Sequence, residues 1–238
     1  IKRYSFDSWS VPESKDLVSK VYSYDLAEEL EGKIRVTLET PEELIAYCAR
    51  VSSPDNQNNK STADKLLKYC IRNSHWSIFE MVDATIEIVC TRDIGRQILR
   101  HRSFSFQEFS QRYAEALDFT RGEVRLQDSK NRQNSIETVD KELRDWWEER
   151  QTDVLILAKK HYKQALNMGI AKEVARKILP EGLTKSRMYM KGSLRSWLHY
   201  CELRRGNGTQ KEHRLIADSC WEILSKEFPS VFSVVEGQ

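Results

Sequence analysis

Residues 96–112, RQILRHRSFSFQEFSQR, set Arg96, Arg100, His101, Arg102 and Arg112 against one acid, Glu108. Guanidinium groups bind phosphate through paired, charge-assisted hydrogen bonds, so several on one short segment suit a nucleotide phosphate or pyrophosphate. On charge spacing alone, a solvated basic face would look the same. Ser103, Ser105, Gln107 and Ser110 add neutral donors and acceptors, and Phe104, Phe106 and Phe109 alternate with them as anchors on a core. The combination points to a site for a phosphorylated, hydrogen-bonding ligand, without naming a reaction. A second candidate wall starts at Ser193, where Arg195, His199 and Glu202 fall on one helical face at i+4 and i+7, opposite an apolar stripe.

Arg100-His101-Arg102, seven residues and then Ser110 resemble the RHR-x7-S signature of flavin-dependent thymidylate synthases. Gln97, Ser105, Glu108 and Arg112 also stand where that family has its usual residues. Further blocks resemble the family in the same order: Ala49-Arg50-Val51-Ser52, His75-Trp76-Ser77, Val174 through Pro180, and Leu194 through His199 continuing to Leu203-Arg204. The similarity spans residues 33–116 and 171–228. Departures are Gln107 where Asn is usual, Phe106 where Tyr is common, Gln111 where a small residue is usual and Ser193 where Asn is frequent.

The resemblance implies a homotetramer in which FAD and dUMP lie in sites shared between subunits. By matched position it assigns Ser52, Ser77, Arg100, His101, Arg102, Glu108, Arg195 and His199 to FAD. Gln97, Arg100, Glu108, Ser110, Gln111, Arg112, Arg176 and Arg204 are assigned to dUMP. The implied reaction makes dTMP from dUMP with a carbon from methylenetetrahydrofolate, while NADPH reduces the flavin. Arg204 and Ser110 are the candidates for direct roles. C5 of uracil is a weak nucleophile, and a cation beside the N3 and O4 edge stabilises the charge that develops on ring activation. Arg204 suits that task as a permanently protonated group, stabilising the N3 anion without taking the proton. Reduced flavin brings the hydride, so no protein nucleophile is obligatory. Ser110 reads as a substrate-binding serine, because a hydroxyl attacks only beside a base and His101 is assigned to the flavin.

Other chemistries fit less of the chain. His199-x-x-Glu202 resembles half of a di-iron helix pair, but a second such pair is absent and His161 and His213 lack comparable partners, so no metal is expected. Interleaved Arg and Phe suit a nucleotide- or RNA-binding protein without flavin chemistry, the alternative to the enzyme. A short basic cluster in a chain of net charge +2, with no recognisable RNA-binding signature, argues against nucleic acid. A serine hydrolase using His101 with Ser103 or Ser105 lacks a G-x-S-x-G elbow.

The elements that must hold these residues follow from periodicity. Residues 33–38 and 82–90 alternate apolar and polar side chains as half-buried strands. Thr40, Pro41 and Glu43 open a helix with a capping box and a Leu44, Cys48, Val51 stripe, ending near residues 52–54. A polar loop at 55–60 leads to a helix over 61–73 through Leu66, Leu67, Cys70 and Ile71. Thr91 caps a short helix with Ile94 and Ile98 inward and Gln97, Arg100 and His101 on another face. Residues 117–142 read as a weakly structured loop. A long helix carries Trp147, Val154, Leu157, Ala158 and Ala165 to Gly169, and a shorter one covers 172–179 before Pro180. Leu194, Trp197, Leu198 and Cys201 stripe the next helix, and Ile216, Cys220, Ile223 and Leu224 the last. Strands early and helices late predict one α+β domain over residues 1–238, with an antiparallel-type sheet and a helical C-terminal half.

Composition is consistent with that domain: 238 residues at 39% hydrophobic content can bury a sizeable core. No apolar run approaches the ~18 residues of a membrane helix, and no secretory leader pattern opens at Ile1. Five cysteines without a C-x-x-C pair sit in apolar segments. The expectation is a soluble protein of a reducing, cytoplasmic compartment that does not act at a membrane.

Overall fold

Thr40 Oγ1 accepts from the Glu43 backbone N–H at 3.2 Å and Pro41 takes the first turn, so α1 (Pro41–Ala49) starts where its cap chemistry places it. The computed structural model describes residues 40–233, and the strand expected at 33–38 lies outside them. Helix α1 buries Ile45 and Ala46 in place of the expected stripe; it ends at Ala49, which leaves Val51 beyond the helix and 69% exposed. After a 3₁₀ turn at Pro54–Asn56, α2 (Ala63–Arg72) buries Leu67, Cys70 and Ile71 and packs on α1.

Strand β1 (Asp83–Thr91) buries Ile86 and Ile88 as its alternation requires, but it also buries Glu87, expected on the polar face. Helix α3 (Arg92–Ile98) follows without a loop and buries Ile94, Gly95 and Ile98. It ends at Ile98, so Arg100 and His101 lie past the helix and share no helical face with Gln97. No Gly or Pro announces that stop. The short β2 (Ser105–Glu108) comes next. The region expected to be irregular contains an antiparallel hairpin of β3 (Arg125–Gln127) and β4 (Ser135–Glu137).

Helix α4 (Lys141–Asn167) is capped by the Asp140 carboxylate accepting from Leu143 N–H at 3.1 Å, and Gly169 follows it at φ 83°. That left-handed turn is one glycine adopts without a Cβ penalty. Helix α4 begins six residues before the expected Trp147, and buries Gln151, Ala158 and Tyr162 while Trp147, Val154 and Leu157 stay 38–54% exposed. Helix α5 (Lys172–Ala175) and a 3₁₀ turn through Ile178 fill the expected 172–179 segment.

Strand β5 (Lys185–Ser193) is the main element absent from the sequence reading, and it breaks the expected segregation of strands early and helices late. It is the middle strand of a sheet ordered β1-β5-β2 and pairs antiparallel with β2, from Ser105 opposite Lys191 to Glu108 opposite Met188. Its buried face is Ser186, Met188, Met190 and Gly192. A Cβ on Gly95 would stand 2.9 Å from Met188 Cε, the end of a flexible side chain that would have to shift to admit it. The chain closes with α6 (Leu194–Arg204), α7 (Lys211–Glu227) and α8 (Pro229–Phe232). The expected stripes of α6 and α7 are inward, apart from a half-buried Ile223.

The described residues divide into two compact units, and the fold class is α+β. One comprises 85–191 with 202–218, and its core holds Ile94, Ile98, Tyr162, Met188 and Met190. The other comprises 40–84, 192–201 and 219–233. Its core holds Phe79, Trp197, Tyr200 and Phe232; Trp197 donates its indole N–H to Ala84 O at 3.1 Å. A buried indole N–H without an acceptor would cost on the order of 1–3 kcal/mol.

Candidate functional site

In the unit built on α3 and β5, the segment after α3 turns back so that His101 is half-buried and Phe104 is buried, while Arg100 and Arg102 face solvent. Phe109, an expected anchor, is 39% exposed. Arg204, at the end of α6, donates its Nε–H to His101 Nε2 at 2.9 Å. A nitrogen that accepts from a guanidinium carries no proton, so a neutral His101 holds its hydrogen on Nδ1. Burial, then the Arg204 and Arg100 charges, push its pKa down and favour that neutral form. Behind it lies His213 of α7, wholly buried, with the two rings at 6.1 Å and nearly perpendicular.

Glu108, at the end of β2, receives the Ser186 hydroxyl at 2.8 Å and stands 3.2 Å from Arg92 Nη1, so two residues outside the expected set fix its carboxylate. Phe109 N–H donates to Arg187 O at 2.8 Å and carries the chain along β5 into the Ser110 turn. There the Ser110 hydroxyl accepts from Arg112 N–H at 3.3 Å. That is a turn-stabilising bond and not the base contact a nucleophile needs.

Gln111 is 4% exposed, and its side-chain nitrogen has no hydrogen-bond partner. It lines a cavity of about 280 Å³ with Arg92, Arg96, Arg176, Lys177 and Thr184. An orphaned buried amide costs on the order of 1–3 kcal/mol, and an anion held among the cations would satisfy it. Arg92 is tied to Glu108 and Arg96 to Glu181, whereas Arg176 has no ion-pair partner among the described residues. Arg112 points instead to Glu173 at 3.3 Å.

The other unit carries the remaining expected flavin residues. Ser77 and Arg195 line an open cavity of about 640 Å³ together with Tyr69, His75 and Trp76. His199 is exposed and stands edge-on to Trp76 at 4.8 Å between ring centroids, and Arg195 pairs with Glu80. Ser52 lies in the exposed turn beyond α1, outside that cavity's lining. A polar rim around an indole edge suits a flat heterocycle with an anionic tail. Among the described residues no group of His, Cys, Asp or Glu is arranged to hold a metal ion.

Sequence reasoning missed Arg92, Ser186, Gln210 and His213. Gln97 donates to Gln210 at 2.7 Å and meets His213 Nδ1 at 3.4 Å, contacts that join α3 to the start of α7. The only trace in the sequence is the polar run Gln210-Lys211-Glu212-His213 ahead of an apolar stripe.

An α+β fold with a cationic cavity, an imidazole that accepts from an arginine and an aromatic-edged cleft has the chemistry that suits anions and flat heterocycles. The chain belongs to the thymidylate synthase complementing protein family, whose model matches residues 34–230. It is 52% identical over 198 residues to a probable flavin-dependent thymidylate synthase of Paramecium bursaria Chlorella virus 1, covering 83% of this chain and 91% of that one. It is 54% identical over 197 residues to a flavin-dependent thymidylate synthase of Synechocystis sp. (strain ATCC 27184 / PCC 6803 / Kazusa), covering 83% and 90%. Among solved structures it resembles a UMP/dUMP methylase, PolB from Streptomyces cacaoi, bound with 5-Br dUMP. That likeness has a TM-score of 0.72 at 25% identity and covers 82% of this chain and 90% of that one.

Proposed function

We propose that this chain is a flavin-dependent thymidylate synthase, converting dUMP to dTMP with methylenetetrahydrofolate as carbon donor and NADPH as reductant of FAD. The observation that carries the reading is the cationic cavity: Gln111 and Arg176, far apart in sequence and both assigned to dUMP, line it together. The dUMP phosphate sits there, satisfying the Gln111 amide and pairing with Arg176. Gln97, Arg100, Glu108, Ser110 and Arg112 hold the remainder of the nucleotide. Arg204 lies against the pyrimidine and stabilises negative charge at N3 as the ring is activated. Its bond to His101 fixes the guanidinium plane, so orientation is complete before substrate arrives.

FAD, when bound, supplies the hydride. By matched position Ser52, Ser77, Arg195 and His199 would contact it, as would Arg100, His101, Arg102 and Glu108. Trp76 and His199 fit a heterocycle, and Arg195 fits a phosphate. The chain acts as one functional domain and as a homotetramer. The apolar side chains that α4 leaves exposed, Trp147, Val154 and Leu157, support association of copies. Five free thiols, with Cys90 and Cys220 pushed up to about 12 by burial, are consistent with a reducing, cytoplasmic setting. No described helix is long and apolar enough to cross a membrane.

The test is spectroscopic. Protein incubated with FAD and desalted should retain flavin absorbance, bleach anaerobically with NADPH, respond to dUMP and form dTMP once the folate is added. A folded sample that retains no flavin, or retains it and forms no dTMP, would overturn the assignment.

A further inference from the structure

A series of hydrogen bonds with one possible direction runs to Gln97. Arg125 can only donate and the Glu212 carboxylate can only accept, and the two are paired. Burial raises the Glu212 pKa, but the bond from Arg125 outweighs it and the carboxyl stays ionised. Gln210 Nε2 must therefore be the atom that reaches Glu212 Oε2, at 3.0 Å. That leaves Gln210 Oε1 to face α3, where Gln97 Nε2 donates to it at 2.7 Å. Gln97 Oε1 then points to His213 Nδ1 at 3.4 Å, so that ring nitrogen carries the proton. Flipping Gln97 would set its oxygen against the Gln210 oxygen, and would require His213 to move its ring proton from Nδ1 to Nε2. His213 is wholly buried and belongs to no role assigned above.

We propose that His213 is a positioning residue that sets a preference for uracil over cytosine, by locking which end of the Gln97 carboxamide meets the pyrimidine. The inference rests on the dUMP reading. With its outer valences taken by His213 and Gln210, Gln97 has one acceptor site on Oε1 and one N–H left. Uracil answers with N3–H for the oxygen and a flanking carbonyl for the N–H. Cytosine presents a lone pair at N3, which would face the Oε1 lone pair. Recognition by a fixed donor–acceptor pair rejects a ring that reverses one partner, because both groups are then left unpaired. Arg204 lies beside the same imidazole pair through His101, and its donors add to the preference at O4, which accepts in uracil where cytosine carries a donating NH2.

Calorimetric titration of FAD-loaded protein with dUMP and with dCMP gives the preference as a ratio of dissociation constants. The unsubstituted protein should favour dUMP. His213→Leu, close in volume but without a donor, should narrow the ratio about 3- to 10-fold, the worth of one neutral hydrogen bond. His213→Asn sets an amide N–H near the Nδ1 position and should restore the ratio. Were His213→Leu not to fold, His213→Gln, whose amide reaches the Nε2 position instead, should lose the ratio equally. An unchanged ratio in the Leu or Gln variant, equal loss of both affinities, or no rescue by Asn would overturn the role of His213. Binding of neither nucleotide by the unsubstituted protein would overturn the dUMP reading beneath it.

Discussion

Arg176→Ala removes the one guanidinium of the cationic cavity that no carboxylate holds among the described residues. Hydrogen bonds to charged groups contribute roughly 1.5–3 kcal/mol, which at about 1.4 kcal/mol per decade is roughly 10- to 150-fold in affinity. Arg176 is half-buried, so solvent screening places the expected effect in the lower part of that range, near 10- to 30-fold. The loss belongs to the phosphate. Binding of dUMP should therefore weaken by that factor while binding of 2′-deoxyuridine changes less than about 2-fold. Lys in place of Ala should recover part of the affinity as a point charge without the bidentate fork. The assay is calorimetric titration of both ligands at two ionic strengths, because a phosphate contact is also screened by salt. Equal losses for nucleotide and nucleoside, or none for either, would refute the placement of the phosphate.

Ser110→Ala should weaken dUMP binding only a few-fold and keep turnover, since its hydroxyl serves a turn; steady-state kinetics showing abolished turnover with intact dUMP affinity would refute this. Burial first, then the Arg204 and His101 charges, lower the His213 pKa to about 4, so the unfolded chain protonates near its ordinary value of about 6.5 before the folded one. Stability is thus full above about pH 6.5 and falls as pH drops toward 4, by about 2 kcal/mol between pH 7.5 and 5. Urea unfolding of His213→Leu should show a flatter acid limb, and equal slopes in both proteins would count against it. Dilution to monomers, followed by ultracentrifugation, should remove both flavin and activity; an active monomer would contradict the shared-site tetramer.

Where local chemistry decides the structure, the sequence reads correctly. Thr40, Pro41 and Glu43 carry their own start signal, the β1 alternation places Ile86 and Ile88 inward, and the α6 and α7 stripes bury as spaced except at Ile223. Strand β5 was opaque because its inward set of Ser186, Met188, Met190 and Gly192 contains no β-branched residue, and only pairing with its neighbours makes it a strand. The end of α3 was opaque for a related reason: the chain stops being helical at Ile98 without a breaker, because tertiary packing redirects it. At the site, the types and spacing of Arg100 through Ser110 raise the expectation of an anion-binding segment, whereas the cationic cavity is lined by Arg92, Arg96, Gln111 and Arg176. The partners of Gln97 could not be read from spacing, since they arise only where α3 meets the start of α7.

The position of β5 also governs the order in which the molecule can be made. A ribosome releases β1 and β2 long before the strand that lies between them in the sheet, so each waits with unpaired backbone groups while the hairpin and α4 are synthesised. Waiting edges of that kind recruit wrong partners, and pairing across such a separation is slow to close. The exposed Ser105 and Gln107 on β2 and Asp83 and Thr85 on β1 keep those edges polar during the delay. A stop or pause before residue 185 would therefore yield a chain that carries every arginine of the RHR-x7-S segment yet lacks the scaffold that orders them.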